Sequence, residues 1–327
     1  MNFLETYSEL LKLVENRIRE VVPKIEPSRL YEPFEYIMTA GGKRLRPVLT
    51  LLAAGSVGGD PKSALDSAIA LEVLHNFTLV HDDIMDNSPI RRGRRTVHEK
   101  WDSATAILLG DVMVGYAFKL LPDTRMHERA DKIREVFTNE LIEVCEGQVI
   151  DMMFNEKKDV TMMDYLQMID KKTARLIETS AVIGGHIGLG SKEEIEALKH
   201  IARNAGLAFQ IQDDLLDMTA DQQDFGKKIG KDIIEGKKTY LIITALQRAE
   251  STEDKKLLDD FYENNGLPEN RVKDMDELFK RNGIYSLAEN EIDFFFGTAK
   301  KSYPFLKKNQ YSEHLIHLIE SLNKRSV

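Results

Sequence analysis

Two short stretches carry carboxylates at the same spacing. LVHDDIMDNSPIRRG (79–93) holds Asp82, Asp83 and Asp86, and FQIQDDLLD (209–217) holds Asp213, Asp214 and Asp217. Both read D-D-x-x-D inside apolar sequence of helical period. On a helix wheel the members of each cluster fall at about 0°, 100° and 40°, on one face. Asp82 and Asp86 then have Cβ atoms about 6 Å apart, and left bare this like-charge pair costs a few tenths of a kcal/mol. The negative end of the helix adds to that cost. An acidic helix end in solvent accounts for one such cluster. Two clusters in apolar helices point instead to the facing walls of a divalent-cation site. Carboxylate oxygen suits Mg2+, which keeps several waters, takes one or two carboxylates per ion and completes its shell with substrate phosphates. The histidine-rich spacing of zinc sites is absent. The expected partner is a phosphate-bearing small molecule.

Cations lie beside these clusters. GGKRLRP (41–47) places Lys43, Arg44 and Arg46 before a helix starting near Pro47, and Arg91 and Arg92 follow the first cluster. Arginine forks take phosphate oxygens bidentately, and a helix N-terminus adds amide donors. Lys171 and Lys172 precede Thr173, and DFGKKIGKDIIEGKKT supplies Lys227, Lys228, Lys231, Lys237 and Lys238 after the second cluster. About half of these lysines are expected to be ordinary surface residues. Lys43, Arg46, Arg91 and Arg92 are expected to bind an anion. His75 lies about 20° from Asp82 on the wheel, and either a core role or anion binding fits it. Gln210 projects at about 60° in the second arc, as a cation-solvating amide or a core hydrogen bond.

The elements that must position these groups are helices. Apolar residues recur at helical spacing near 3–21, 28–39, 47–56, 61–86, 99–121, 126–155, 161–189, 192–219, 232–249, 252–263, 270–281, 285–303 and 311–324, with prolines at the breaks. Strand alternation and hairpin dipeptides are scarce, and no repeat or composition shift marks a linker. The expectation is one all-α domain over 1–327, a bundle of about 10–13 helices. The chain has 327 residues, 42% hydrophobic, with net charge −9. That allows a real core and argues against nucleic-acid binding driven by net charge. One cysteine, Cys145, precludes an intrachain disulfide and fits a reducing, cytoplasmic setting. The amphipathic N-terminus does not read as a signal peptide. No apolar run approaches the ~18 residues of a membrane span, so no stable membrane insertion is expected.

Taken in order, GGKRLRP, LVHDDIMD with RRG, GQVID, KT, FQIQDDLLD and GK…GKD…GKKT resemble the trans-isoprenyl diphosphate synthases, over about Lys43 to Thr239. Short-chain members, geranylgeranyl diphosphate synthases above all, are the most similar. The resemblance implies an all-helical fold around a deep central cavity, a homodimer, and condensation of isopentenyl diphosphate with allylic diphosphates. It implies Asp82, Asp86 and Asp213 as principal ligands of about three Mg2+ ions, with Mn2+ as an alternative, and Asp83, Asp214 and Asp217 in support. Arg91, Lys172, Lys227 and Lys237 would hold the allylic diphosphate. Lys43, Arg46, His75 and Arg92 would hold isopentenyl diphosphate, and Thr173 and Gln210 would lie along the reacting carbons. The family often has proline at Arg95 and glycine at Asp102, departures that bear on the loop after RRG and not on the ligand set.

For product length the wheel places Thr78, Leu74 and Leu71 nearer the carboxylate stripe than Phe77. The family instead implies Phe77, the fifth residue before Asp82, as the floor under the growing chain, with small Thr78 at the fourth. With no insertion in DDIMD, this resembles geranylgeranyl-producing enzymes of the archaeal kind. A farnesyl or longer product is the alternative. A terpene cyclase would lack the second DDLLD and GGKRLRP. A non-catalytic partner subunit would not need both acidic clusters. An HD-type phosphohydrolase would need more metal ligands than His75 and His81 offer.

Overall fold

The computed structural model describes residues 2–125, 127–154, 156–157, 159–220 and 229–323. The fold is all-α, as the periodicity predicts. The chain forms two compact units. One comprises Met1–Ile142, Leu176–His200 and Ser302–Leu318, and the other Glu143–Arg175, Ile201–Lys301 and Ile319–Val327.

In the first unit, α1 (Phe3–Val21) opens on a capping box, in which Asn2 Oδ1 accepts from Glu5 N at 2.9 Å and Glu5 accepts from Asn2 N at 3.0 Å. Next come α2 (Ser28–Met38), α3 (Leu45–Ser56) and α4 (Leu65–Met85). The 61–86 expectation divides here, because Pro61 and the Asp60 cap favour a 3-10 turn, Pro61–Ala64, before α4 begins. Helix α4 is apolar around most of its circumference, and α1, α2, α3 and α6 (Ser103–Lys119) pack about it. Leu71, Val73 and Leu74 are fully buried, each contributing about 2 kcal/mol.

The stretch 99–121 is likewise not one helix. A short α5 (Val97–Lys100) ends at Trp101, and Asp102 caps α6 by accepting from Thr105 N at 2.7 Å. Asp102 also receives Arg29 Nη2 at 2.7 Å. Between α4 and α5 lies an antiparallel hairpin that the sequence pattern did not signal. Strands β1 (Ile90–Arg91) and β2 (Arg94–Arg95) pair Ile90 with Arg95 and Arg91 with Arg94. Arg92 and Gly93 form its two-residue turn, both with positive φ (51° and 72°), the mirror-image turn whose twist suits a hairpin.

Helix α7 (Ala130–Phe154) supplies residues to both units. In the second unit, α8 (Met162–Ile169) starts on a Thr161–Asp164 capping box and passes into a π turn, Asp170–Ala174; the next helix, α9 (Arg175–Ile187), belongs to the first unit from Leu176 onward. The expected single helix over 161–189 is thus interrupted at the KT pair. In chain order then follow α10 (Lys192–Thr219), α11 (Lys231–Ile234), α12 (Tyr240–Arg248), α13 (Thr252–Glu263), α14 (Val272–Arg281), α15 (Ile284–Lys300) and α16 (Gln310–Asn323); α11 to α15 lie in the second unit, whereas α10 up to His200 and α16 up to Leu318 lie in the first. Helix α12 packs on α8, α14 and α15. Buried Asp254 fixes α13 to the end of α14 through Arg281 at 2.6 Å and Asn282 at 2.9 Å. Among the described residues no helix is long and apolar enough to cross a membrane.

Candidate active site

In the first unit the aspartates at the end of α4 divide their roles. Asp83 is 2% exposed and accepts Arg91 Nε at 2.8 Å. Burial raises the Asp83 pKa, and Arg91 works against that rise. Asp82 is half-buried, and Asp86, the C-cap of α4, is exposed. One member of the cluster thus faces inward as a support, while the other two keep access to solvent.

The GGKRLRP loop and the RRG hairpin meet. Arg92 Nη1 donates to Gly41 O at 2.8 Å, and Tyr7 Oη donates to Lys43 O at 2.5 Å. Helix α3 begins at Leu45, two residues earlier than expected, because Arg44 adopts the left-handed conformation (φ 46°) as its N-cap. Arg44 is only 3% exposed and donates to Glu15 and Glu72 at 2.7 Å each and to Met38 O at 2.6 Å. Arg46 Nε is buried and has no hydrogen-bond partner. Burial lowers the Arg46 pKa, opposed by Glu72 and Glu140 and reinforced by Arg92. Burial also holds the His75 pKa well below its ordinary value, with Arg46, Arg92, Arg91 and Arg44 adding to the effect. A neutral imidazole among four guanidiniums is a setting for an anion.

The hairpin is anchored on aromatics. Tyr36 Oη donates to Arg95 O at 2.9 Å, and its ring meets Trp101 edge-on at 5.2 Å. Lys100 Nζ stands 3.8 Å over Tyr36 and 4.4 Å over Trp101. Both sequence departures therefore have local partners, since Arg95 also donates to Glu99 O and Asp102 caps α6. Along α4, Phe77 is 8% exposed and meets His81 edge-on at 4.9 Å, and half-buried Thr78 donates to His75 O at 2.8 Å. Leu74 has no exposed surface.

The second unit repeats the division of roles. Asp214 is 6% exposed and accepts Tyr165 Oη at 2.6 Å, Tyr240 N at 3.1 Å and Gln210 Nε2 at 3.1 Å. Burial and the nearby Asp232 push its pKa up to about 7 against those three hydrogen bonds. Asp213 is half-buried, and Asp217 accepts Asp232 N at 3.0 Å.

The π turn presents Lys172 to Asp151 at 2.6 Å and Thr173 Oγ1 to Gln210 Oε1 at 2.9 Å. Lys171 is bound by Glu143 and Glu146 at 2.5 Å each. Two glycines permit this turn. A Cβ on Gly147 would lie 2.6 Å from Lys172 N, and one on Gly206 would lie 2.6 Å from Ala174 Cα. Of the GKKT lysines, Lys237 is exposed near Glu235 (3.5 Å) and Asp232 (3.8 Å). Lys238 is buried and donates to the carbonyls of Phe154 and Lys157. Lys231 pairs with Glu235 at 3.1 Å. Lys227 and Lys228 lie outside the described residues.

Sequence reasoning missed Glu15, Glu72, Asp151, Tyr165 and Asp232 as partners of the site residues. Glu72 carried a signal, since a charge in the apolar run LEVLHNF needs a buried partner. Among the described residues no group of three or more His, Cys, Asp or Glu side chains forms a ready metal cage. The accessible carboxylates of each cluster, Asp82 and Asp86 in the first unit and Asp213 in the second, are hard oxygen donors of the type that suits Mg2+ when substrate phosphate completes its shell.

Residues 27–279 match the family described as Polyprenyl synthetase. A short chain isoprenyl diphosphate synthase of Methanothermobacter thermautotrophicus is 38% identical, covering 99% of this chain and 98% of that one. A geranylgeranyl diphosphate synthase of Methanosarcina mazei is 44% identical over 72% of this chain and 73% of its own. The crystal structure of geranylgeranyl pyrophosphate synthetase from Pyrococcus horikoshii aligns with a TM-score of 0.92 at 36% identity, covering 100% of both chains. Matched along its length and carrying the acidic and basic motifs in order, the chain belongs to the polyprenyl synthetase family and is a trans-prenyltransferase.

Proposed function

We propose that the protein condenses isopentenyl diphosphate with allylic diphosphates to form all-trans geranylgeranyl diphosphate, and that both units serve one catalytic domain. The observation that carries this reading is the paired division of roles. Each D-D-x-x-D cluster anchors its second aspartate inward, Asp83 on Arg91 and Asp214 on Tyr165, and keeps its first accessible. Asp82, Asp86 and Asp213 would hold Mg2+, which supplies counter-charge to the diphosphate leaving group. Asp217 supports from its contact with Asp232 N.

Arg91, Lys172, Lys227 and Lys237 bind the allylic diphosphate, and Lys43, Arg46, His75 and Arg92 bind isopentenyl diphosphate. The allylic C–O bond breaks heterolytically. The carbocation is attacked by the C=C of isopentenyl diphosphate, and a proton is lost to the departing diphosphate. Cations fixed before the reaction stabilise the negative charge as it develops on the leaving group. Gln210 holds Thr173 through its carbonyl and Asp214 through its amide, so both polar groups stay fixed beside the reacting carbons, from which water must be excluded.

Apolar side chains in solvent support a homodimer. On α6 Ile107 and Leu108 are 48% and 58% exposed, and on α7 Val149 and Met153 are 56% and 59% exposed. The one cysteine, exposed Cys145, fits the cytoplasm. The test is to supply isopentenyl diphosphate with each of the five-, ten- and fifteen-carbon allylic diphosphates plus Mg2+ and to weigh the products. A twenty-carbon diphosphate from each starter is the expected result. No condensation with any of them refutes the reading.

A further inference from the structure

Arg44 is the one arginine of GGKRLRP that has no access to an incoming anion. Its side chain is fully buried, and its contacts run to Glu15, Glu72 and Met38 O. Its backbone is left-handed at φ 46°, a conformation that a long side chain holds only when its surroundings compel it. Glu72 is 3% exposed, and its Oε1 also receives Asn76 Nδ2 at 3.3 Å. The same carboxylate is the foremost opposing charge near both Arg46 and Arg92. A buried ion pair of this kind adds little net stability compared with apolar residues of similar size. Its retention points to the geometry that it fixes.

We propose that the buried Arg44–Glu72 pair, extended by Glu15, is a positioning device for isopentenyl diphosphate. It locks the turn between Gly42 and Leu45 so that Lys43 and Arg46, on either side of Arg44, present their cations together. The proposal rests on the functional reading above. Arg44 and Glu72 act through their neighbours and do not touch the diphosphate.

The experiment compares wild type with R44M/E72M, which replaces the pair by apolar side chains, and with Arg44→Lys, which keeps the charge and loses the three-way fork. Thermal midpoints and KM for each substrate are measured. R44M/E72M is expected to keep a midpoint near that of wild type. Its KM for isopentenyl diphosphate should rise about ten- to a hundredfold, the scale of an ångström-sized misplacement, while KM for the allylic substrate stays within about twofold. Arg44→Lys should show the same selective rise, smaller in size. An unchanged KM for isopentenyl diphosphate in either variant overturns the proposal, as does an equal rise for both substrates. If R44M/E72M fails to fold, Arg44→Lys alone decides. A wild-type protein that condenses nothing faults the functional reading, whereas an active wild type with indifferent variants faults only the positioning role.

Discussion

Truncating Phe77 to alanine separates two roles for one ring. Phe77 is 8% exposed and contacts His81 edge-on at 4.9 Å. A buried Phe→Ala change costs about 3–5 kcal/mol when the void is sealed, and about 0.5–1.5 kcal/mol of that belongs to the aromatic contact. A ring that forms the floor of an open channel leaves no sealed void when it is removed, because the new space joins the channel. The cost then falls to about 3 kcal/mol, which lowers the thermal midpoint by roughly 4 °C in a chain of 327 residues. The ring carbons removed occupy space comparable to one five-carbon isoprene unit. Phe77→Ala is therefore expected to shift the main product to a chain at least one unit longer, read by mass spectrometry of the dephosphorylated alcohols beside a melting curve. A lowered midpoint with unchanged chain length would refute the reasoning and leave Phe77 as an ordinary core residue.

Asp82→Asn and Asp213→Asn should each lower kcat about 10²–10³-fold, the scale seen when one electrostatic stabiliser is lost, with thermal midpoints little changed. Steady-state kinetics at saturating Mg2+ checks this. Gly147→Ala drives a methyl onto the backbone of the π turn, 2.6 Å from Lys172 N. A loss of about 1–3 kcal/mol is expected by urea unfolding, with a fall in kcat as Lys172 and Thr173 shift. His186 has its pKa held at about 4 by burial, with Arg129, Lys132 and His127 adding to the effect. Its unfolded value is about 6.5, so the folded form favours the neutral ring. That stabilisation is whole above pH about 6.5 and is lost as pH falls toward about 4. Partial exposure discounts it to about 2 kcal/mol. Melting curves of wild type and His186→Asn across that range should converge as the pH drops.

The helices and both acidic clusters were legible because their signals are local. Apolar period sets the helix, and the i, i+1, i+4 spacing sets the face. The inward turn of Asp83 and Asp214 was not legible, since it depends on Arg91 in the hairpin and on Tyr165 and Tyr240 in other helices. The hairpin escaped because its turn is Arg-Gly, in place of the Asn-Gly or Asp-Gly that signals such turns. The π turn has no sequence signature in KKT itself, because the glycines that admit it sit on other helices, at 147 and 206. Among the basic residues, composition could not tell buried Arg44 from the neighbouring Lys43 and Arg46, nor buried Lys238 from exposed Lys237. That difference comes from tertiary acceptors such as Glu72 and the carbonyls near the end of α7.

Trp101 is the only indole in the chain, and it stands against Tyr36, the residue that clasps the strand after Arg92. Light absorbed selectively by indole therefore interrogates this corner of the molecule and nothing else. The nearby Lys100 ammonium makes the emission sensitive to any rearrangement of the arginine-bearing ribbon. The protein carries its own optical gauge, needing no attached dye, for any movement of that ribbon.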